Sequence, residues 1–319
     1  VIDREHLKGL LTLLLGFISS KQPHVTNGTS DEQLLPKTEE KIGSEQLEEL
    51  WPSTWEAVQL SRHSQRPTSM DFISRSLTNF VELHGDRLYG DDPSVVSGLG
   101  YLGTQVVVVI GQETGHDVTA RERHEGRTYP EGFRKADRVM RLASKFELPL
   151  ITFVDTPGPY YGRESEERGL GNAIASTMAL MSRLSIPTIS VVIGEGGSEG
   201  ALAFGVADRI LMLENATYSV TSPENAAALL YGDSPGVQKV PKPLKLSARD
   251  CHELGIIDLI VDEPSGGAHR SPGESALRLK NMLEEEMTTL RDLSTKRLLR
   301  DRHKKFRDMG EYSSYFRIA

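Results

Sequence analysis

Short apolar runs alternate with helix-like patterns through the middle of the chain. The runs at 106–110, 150–154 and 187–193 are rich in β-branched residues, which predicts strands that are buried on both faces. Helical patterns lie between these runs, at 130–146 and 166–184. Alternation of this kind predicts an α/β fold with a mostly parallel sheet.

The same alternation extends to both sides of these elements. A helix is predicted at 52–61, because Pro52 suits the first turn of a helix. After the third strand we expect a small-residue helix at 198–206 and short strands at 210–213 and 255–261. Residues 234–243 include three prolines and are therefore expected to form a loop.

The N-terminal stretch has a different character. Residues 19–44 are polar and lack aromatic side chains, which predicts a linker or a loosely ordered arm. The apolar residues at 10–18 follow Asp3 and Glu5, where a signal peptide would carry basic residues. A short amphipathic helix is therefore favoured over a signal peptide, and residues 1–45 are assigned to an N-terminal arm.

The C-terminal stretch, 266–319, follows the main domain at 46–265 and is charged and helical in pattern. Acidic side chains interleave with its basic ones, so a solvated amphipathic helix is favoured over a nucleic-acid patch. The interleaved residues are Arg297, Arg300, Asp301, Arg302, Lys304, Lys305, Arg307 and Asp308.

Composition excludes several classes of protein. Among 319 residues, 37 are Lys or Arg and 45 are Asp or Glu, and the net charge of -8 argues against binding to nucleic acid. The single cysteine, Cys251, excludes a disulfide framework and any zinc site that needs two or more thiolates. No apolar run reaches the ~20 residues that a membrane span requires. The composition thus predicts a soluble protein of a reducing compartment.

Two glycine-rich turns, at 154–162 and 193–203, each follow a predicted strand and lead into a helix. Unpaired amides at such helix starts suit phosphate binding or stabilisation of an oxyanion. Phosphate binding is the weaker case, since the second turn lacks the Lys-Ser/Thr of a P-loop and contains Glu195. Ser198 lacks the G-x-S-x-G frame of a nucleophile elbow. Asp155 is either a catalytic carboxylate or, as we favour, a turn-stabilising one.

Eight motifs occur in the order found in one family. They are QRP at 65–67, FVELHGDR at 80–87, PEGFRKA at 130–136, ITFVDTPG at 151–158, EERG at 166–169, VIGEGGSEG at 192–200, TYSVTSPE at 217–224 and EPSGGAH at 263–269. On these motifs, residues 50–312 resemble the α subunit of the bacterial and plastid acetyl-CoA carboxylase carboxyltransferase. Residues 1–15 resemble the last helix of that enzyme's β subunit, as if the chain were the α half of a β–α fusion.

The resemblance implies a crotonase-like (ClpP/crotonase) fold, a spiral of ββα units with helical extensions at both ends. It implies transfer of a carboxyl group from carboxybiotin, on a separate biotin carrier protein, to acetyl-CoA. The product is malonyl-CoA, in the first committed step of fatty acid biosynthesis. The implied partners are biotin carboxylase and a β subunit with a zinc ribbon, in an α2β2 heterotetramer. We thus expect a cytoplasmic enzyme that works only with its β subunit and carries no covalent cofactor or metal.

The implied site has two parts. The backbone N–H groups of Gly200 and Ala201 would form an oxyanion hole for the ureido oxygen of biotin. The residues expected to bind the substrate around this hole are Gly196, Gly197, Ser198, Glu199, Thr156, Pro157 and Gly158. In the alternative interpretation, the glycines only allow close packing of helix on strand.

Four features depart from the family's pattern, one of which is that the expected pair of N-terminal helices is largely missing. Glu199 replaces a glycine in the family's run Gly-Gly-Ser-Gly-Gly-Ala, and a carboxylate beside a developing enolate is unfavourable. Pro159 removes one N–H group from the first turn. Residues 234–243 take the place of the family's helix after Ser-Pro-Glu. A second hypothesis therefore stays open, that of a non-catalytic homologue that binds the β subunit or the carrier without turnover, although a working enzyme is favoured.

Overall fold

The structure, a computed structural model, describes residues 53–231 and 244–310. The predicted arm at 1–45 and the proline-rich segment at 234–243 lie outside the described residues. No helix within the described ranges is long and apolar enough to cross a membrane.

One mixed sheet of eight strands runs through the described residues. In chain order the strands are β1 (Thr78–Glu82), β2 (Val95–Leu102), β3 (Gln105–Gln112), β4 (Leu150–Thr156), β5 (Thr188–Gly197), β6 (Arg209–Leu213), β7 (Thr217–Ser219) and β8 (Leu259–Val261). They lie side by side in the order β1-β2-β3-β4-β5-β6-β8, and β7 pairs with β5. Only β1–β2 and β2–β3 are antiparallel among these pairs, which confirms the predicted mostly parallel sheet.

Eleven α-helices accompany the sheet within the described residues. They are α1 (Thr54–Ser61), α2 (Ser69–Ser76), α3 (Val118–Glu122), α4 (Pro130–Lys145), α5 (Arg163–Glu167), α6 (Leu170–Arg183), α7 (Ser198–Gly205), α8 (Pro223–Tyr231), α9 (Ala248–Glu253), α10 (Pro272–Arg291) and α11 (Thr295–Asp308). Helix α4 packs on β2 and β3, and α7 packs on β4 and β5. This cover explains why every residue of β4 is buried and why its sequence reads as a continuous apolar run.

The helix predicted at 166–184 is wrong in its continuity. The structure has two helices there, α5 and α6, which are separated by Arg168 and Gly169. Gly169 adopts a left-handed φ of 77°, a conformation that glycine reaches at no steric cost and that ends the first helix. Helix α6, which begins after the break, packs against α4 and α7.

Two expectations for the C-terminal third also need correction. A helix, α8, does follow the Ser-Pro-Glu motif directly, so the family's helix is not replaced by the proline-rich segment. The last strand covers only Leu259–Val261, because Gly255 takes a left-handed φ of 69° in the turn that precedes it. Strands β1 and β2, which precede the predicted parallel strands, were not foreseen.

The solvated helix predicted near the C-terminus is wrong for Arg302. Its side chain is buried, with 1% exposed, in the contact between α11 and the core. There the guanidinium pairs with Asp208 at 2.7 Å. Leu298 of the same helix belongs to the main hydrophobic core, together with Leu279 and Leu283 of α10. The C-terminal helices therefore pack as part of the core.

Candidate active site

A cleft of about 800 Å³ opens at the carboxyl ends of β4 and β5. The chain leaves each strand through a glycine-rich turn, and both turns line the cleft. We call residues 156–159 the wall turn and residues 196–201 the donor turn. Parallel strands that end at the same edge of a sheet place the turns after them side by side, which is where α/β proteins bind ligands.

The two turns pack backbone against backbone. Thr156 pairs with Gly196 in the sheet, just beyond the last regular pairing of β4 with β5. A Cβ atom on Gly197 would lie 2.5 Å from the carbonyl carbon of Pro157, and one on Gly200 would lie 2.9 Å from the nitrogen of Pro159. Both positions thus require glycine for close approach. The two glycine-rich turns thus lie side by side, and this contact also fits the alternative interpretation of glycines that allow close packing.

The donor turn presents amide groups at the start of α7. Gly197, the N-cap, supplies no side chain to receive them. Among the described residues, no backbone carbonyl outside α7 accepts the N–H of Gly200 or Ala201. Ser198, the first helical residue, has a strained left-handed φ of 55°. The strand thus turns abruptly into the helix, and the first amides of α7 lack the backbone partners that a continuing helix would supply.

The substrate-binding residues predicted from the sequence divide into two groups. Ser198 and Glu199 line the cleft, together with Pro157 and Gly158. Thr156, Gly196 and Gly197 are buried and do not line the cleft, and the same holds for the predicted donors Gly200 and Ala201. The Glu199 side chain is exposed and accepts a hydrogen bond from the Ser198 hydroxyl. Glu199 therefore lies at the cleft, next in the chain to the proposed donor Gly200.

Asp155, which precedes the wall turn, is hydrogen-bonded to Glu195, which precedes the donor turn. Its Oδ1 accepts the amide N–H of Glu195 at 3.0 Å, and its Oδ2 accepts the Thr114 hydroxyl at 3.2 Å. Burial raises the pKa of Asp155 to about 7. The Glu195 amide and Arg66 oppose this rise, while the carboxylate of Glu113 adds to it. The contacts support the turn-stabilising role that the sequence favoured, in a residue that also lines the cleft.

The raised pKa of Asp155 makes stability depend on pH. In the unfolded chain this carboxyl has a pKa of about 3.9, so the folded state binds the proton more tightly than the unfolded state does. The free energy of unfolding therefore falls as the pH rises towards 7. An asparagine side chain at this position would keep an acceptor for the Glu195 amide and would not titrate. In urea unfolding, the stability of Asp155→Asn relative to the wild type should therefore grow by about 3 kcal/mol between about pH 5 and pH 8. A difference independent of pH would contradict the assignment.

Two arginines that were not predicted as site residues, Arg62 and Arg66, also line the cleft. Arg66 is buried and pairs with Glu263 at 2.5 Å, which joins the QRP motif to the EPSGGAH motif. Its Nε also donates to the carbonyl of Ile193, the first residue of the second glycine-rich turn, at 2.7 Å. Arg62 bridges Glu195 and Glu224. Arg66 lies inside the QRP motif and Arg62 lies just before it, and this position was the signal that could have identified both residues.

Comparison with known proteins fixes the family. A family model described as "Acetyl co-enzyme A carboxylase carboxyltransferase-like" matches residues 18–310. The chain belongs to this carboxyltransferase family. It is 45% identical, over 88% of its length and 89% of the relative's, to the acetyl-coenzyme A carboxylase carboxyl transferase subunit alpha of Thermus thermophilus. It is 49% identical to the subunit of the same name from Staphylococcus carnosus, over 81% and 82% of the two chains.

The fold of this family member is found again in a solved carboxyltransferase. Transcarboxylase 12S superposes with a TM-score of 0.58 at 18% identity. The match covers 76% of this chain and 46% of that chain, so the chain spans less than half of that protein's length. The likeness confirms the crotonase-like α/β fold that the motifs implied.

Proposed function

We propose that this chain is the carboxybiotin-binding half of a carboxyltransferase that forms malonyl-CoA from acetyl-CoA. The observation that supports the proposal is the contact of the donor turn with the wall turn at the cleft, where the N–H groups of Gly200 and Ala201 have no backbone acceptor outside α7 among the described residues. Relatives that are 45–49% identical bear the name of the acetyl-CoA carboxylase carboxyl transferase subunit alpha. The reaction would take place in the cytoplasm.

The chain's own contribution would be electrostatic. Carboxybiotin supplies the carboxyl group and, after the carboxyl group leaves, a base for the methyl group of acetyl-CoA. The N–H groups of Gly200 and Ala201 would donate to the ureido oxygen, on which negative charge builds while the carboxyl group departs. A preorganised donor of this kind lowers the barrier by ~3–4 kcal/mol. This mechanism requires no side-chain nucleophile, which agrees with the absence of a catalytic dyad in the sequence.

We infer that the partner subunit supplies the second half of the site. A β subunit would bind the CoA thioester, carry the zinc ribbon and complete an α2β2 heterotetramer, while biotin carboxylase would recharge the carrier. Cys251 is unsuited to a metal, because the thiol is buried and its burial raises its pKa to about 12. We therefore propose no metal site at Cys251, and the zinc ribbon that the family resemblance implies would belong to the β subunit.

The proposal is tested with the full chain, a purified β subunit and carboxylated carrier protein. We expect malonyl-CoA to form, and a label placed on the carboxyl group of the carboxylated carrier should appear in the malonyl-CoA. Glu199→Gln should raise the rate by about fivefold, since it removes a negative charge beside the developing one. Glu199→Gly should act in the same direction. An inactive wild type whose activity appears only in Glu199→Gly would instead establish the non-catalytic alternative.

A further inference from the structure

The cleft contains more acidic than basic side chains. Its carboxylates belong to Glu125, Asp155, Glu166, Glu195, Glu199 and Glu224. Its guanidinium groups belong to Arg62, Arg66 and Arg127. An anionic substrate that enters such a cleft is repelled unless one of these cations is free to hold it.

Two of the three arginines are already neutralised. Arg62 lies 2.6 Å from a carboxylate oxygen of Glu195 and 2.7 Å from one of Glu224. Arg66 lies 2.5 Å from Glu263 and is buried. Neither can turn towards a ligand without breaking a close ion pair.

Arg127 differs from both. No carboxylate in the described part of the chain pairs with it. Its guanidinium carbon lies 5.3 Å from the centre of the Tyr161 ring, and that ring is 74% exposed. The face of the guanidinium is thus held by an aromatic ring, and its N–H donors remain available in the cleft.

The backbone on both sides of Arg127 contacts the residues that flank the wall turn, Asp155 and Tyr160. A Cβ atom on Gly126 would lie 2.7 Å from the carbonyl oxygen of Asp155, so residue 126 packs directly against the end of β4. On the other side, Tyr160 N–H donates to the carbonyl of Thr128 at 2.9 Å. Arg127 therefore has a defined place beside the wall turn, which is itself in contact with the donor turn.

We propose that Arg127 binds the carboxylate of the carboxylated biotin, a role that rests on the proposed function of this cleft. A planar guanidinium matches a planar carboxylate through two parallel N–H···O bonds. During the reaction the bond between the ureido nitrogen and the carboxyl carbon breaks, and its electron pair stays on the ureido group. The carboxyl group then leaves as neutral CO2, and the contact with Arg127 weakens. Arg127 thus contributes to binding more than to the rate of the chemical step.

Steady-state kinetics of the assembled α–β enzyme test this assignment. Arg127→Gln should raise the KM for carboxylated carrier by about 10- to 100-fold. The KM for acetyl-CoA should stay unchanged, and kcat should stay within about threefold. Arg127→Lys, which keeps the charge but not the planar fork, should give an intermediate KM. Arg163→Gln removes the same charge from an exposed pair with Glu167 and should behave as the wild type.

A second readout does not depend on activity. Phenylglyoxal modifies arginine side chains, and peptide mass spectrometry measures the extent at each position. Acetate, used as a carboxylate probe, should slow the modification of Arg127 and leave that of the exposed Arg163 unchanged.

The two proposals fail in different ways. If the wild type forms malonyl-CoA but Arg127→Gln has the same KM for carboxylated carrier, the role of Arg127 is overturned and the proposed function stands. If the wild type forms no malonyl-CoA, the proposed function fails. Protection of Arg127 by acetate would then still support an anion site there, and lack of protection would overturn it.

Discussion

Gly197→Ala should lower the rate of malonyl-CoA formation by about 100-fold or more. The new methyl group would lie 2.5 Å from both the carbonyl carbon and the carbonyl oxygen of Pro157, and 2.9 Å from the carbonyl oxygen of Thr156. All three are backbone atoms, which cannot swing aside as a flexible side chain can. The wall turn and the donor turn must therefore separate, and a displacement of about 1 Å is enough to misalign an oxyanion hole.

Loss of activity must be separated from loss of folding. Overpacking of this kind costs about 1–3 kcal/mol of stability, so the variant should still fold and unfold cooperatively in urea. Gly171→Ala serves as the matched control, because Gly171 lies in α6 with nothing within 4 Å of the position of its Cβ. That variant should retain wild-type activity. If Gly197→Ala were as active as Gly171→Ala, the close approach of the two turns would have no role in the reaction.

The parallel part of the sheet could be predicted because burial leaves a clear mark on the sequence. Strands β4 and β5 are covered on both faces and consist of long apolar runs. Strands β1 and β2 lack this mark. Strand β1 is largely exposed and mixes polar with apolar residues, and β2 includes Gly98 and Gly100, which bring it close to β1. Such strands are stabilised by pairing with neighbouring strands. The local pattern of apolar and polar residues in the sequence does not show this pairing.

The candidate site could be predicted in part. The glycine turns were recognisable because a tight strand-to-helix turn needs glycine, and their close packing bears this out at Gly197. The charged residues around the turns were harder to place. The partner of Arg66 is Glu263, which lies 197 positions away along the chain. No spacing rule connects such residues, so only the fold reveals which arginine is neutralised and which one has no carboxylate partner among the described residues.

Arg302 shows the same limit in the C-terminal helix. Its neighbours alternate in charge, a pattern typical of a solvated helix face. In the structure, all five N–H groups of Arg302 donate hydrogen bonds: two to the carboxylate of Asp208 and three to backbone carbonyls, those of Met181, Leu184 and Ile186. Arg302 thus joins α11 to the end of α6 and to the residues that precede β5 and β6.

Arg302→Met should lower the free energy of unfolding by about 3–5 kcal/mol. The large effect arises because the carboxylate of Asp208, only 6% exposed, would lose its paired guanidinium and keep hydrogen bonds only from the amide and hydroxyl of Thr188. The ammonium of Lys305 donates to the backbone carbonyl of Asp208 and not to its carboxylate. The double variant Arg302→Met with Asp208→Asn should recover part of the loss, since it also removes that uncompensated charge. Urea unfolding at neutral pH gives the free energy of unfolding of the wild type, of Arg302→Met and of the double variant.

Arg300→Met provides the control on the same helix. Arg300 is exposed and pairs with Asp301 at 2.8 Å, and exposed pairs of this kind contribute about 0–1 kcal/mol. If both substitutions lowered the free energy of unfolding equally, the buried pair of Arg302 with Asp208 would contribute no more to stability than an exposed ion pair does. A double variant as unstable as Arg302→Met alone would show that the lost hydrogen bonds to the three carbonyls, and not the unpaired carboxylate, cause the instability. The chain thus allows the electrostatic and hydrogen-bonding contributions of one buried arginine to be measured separately.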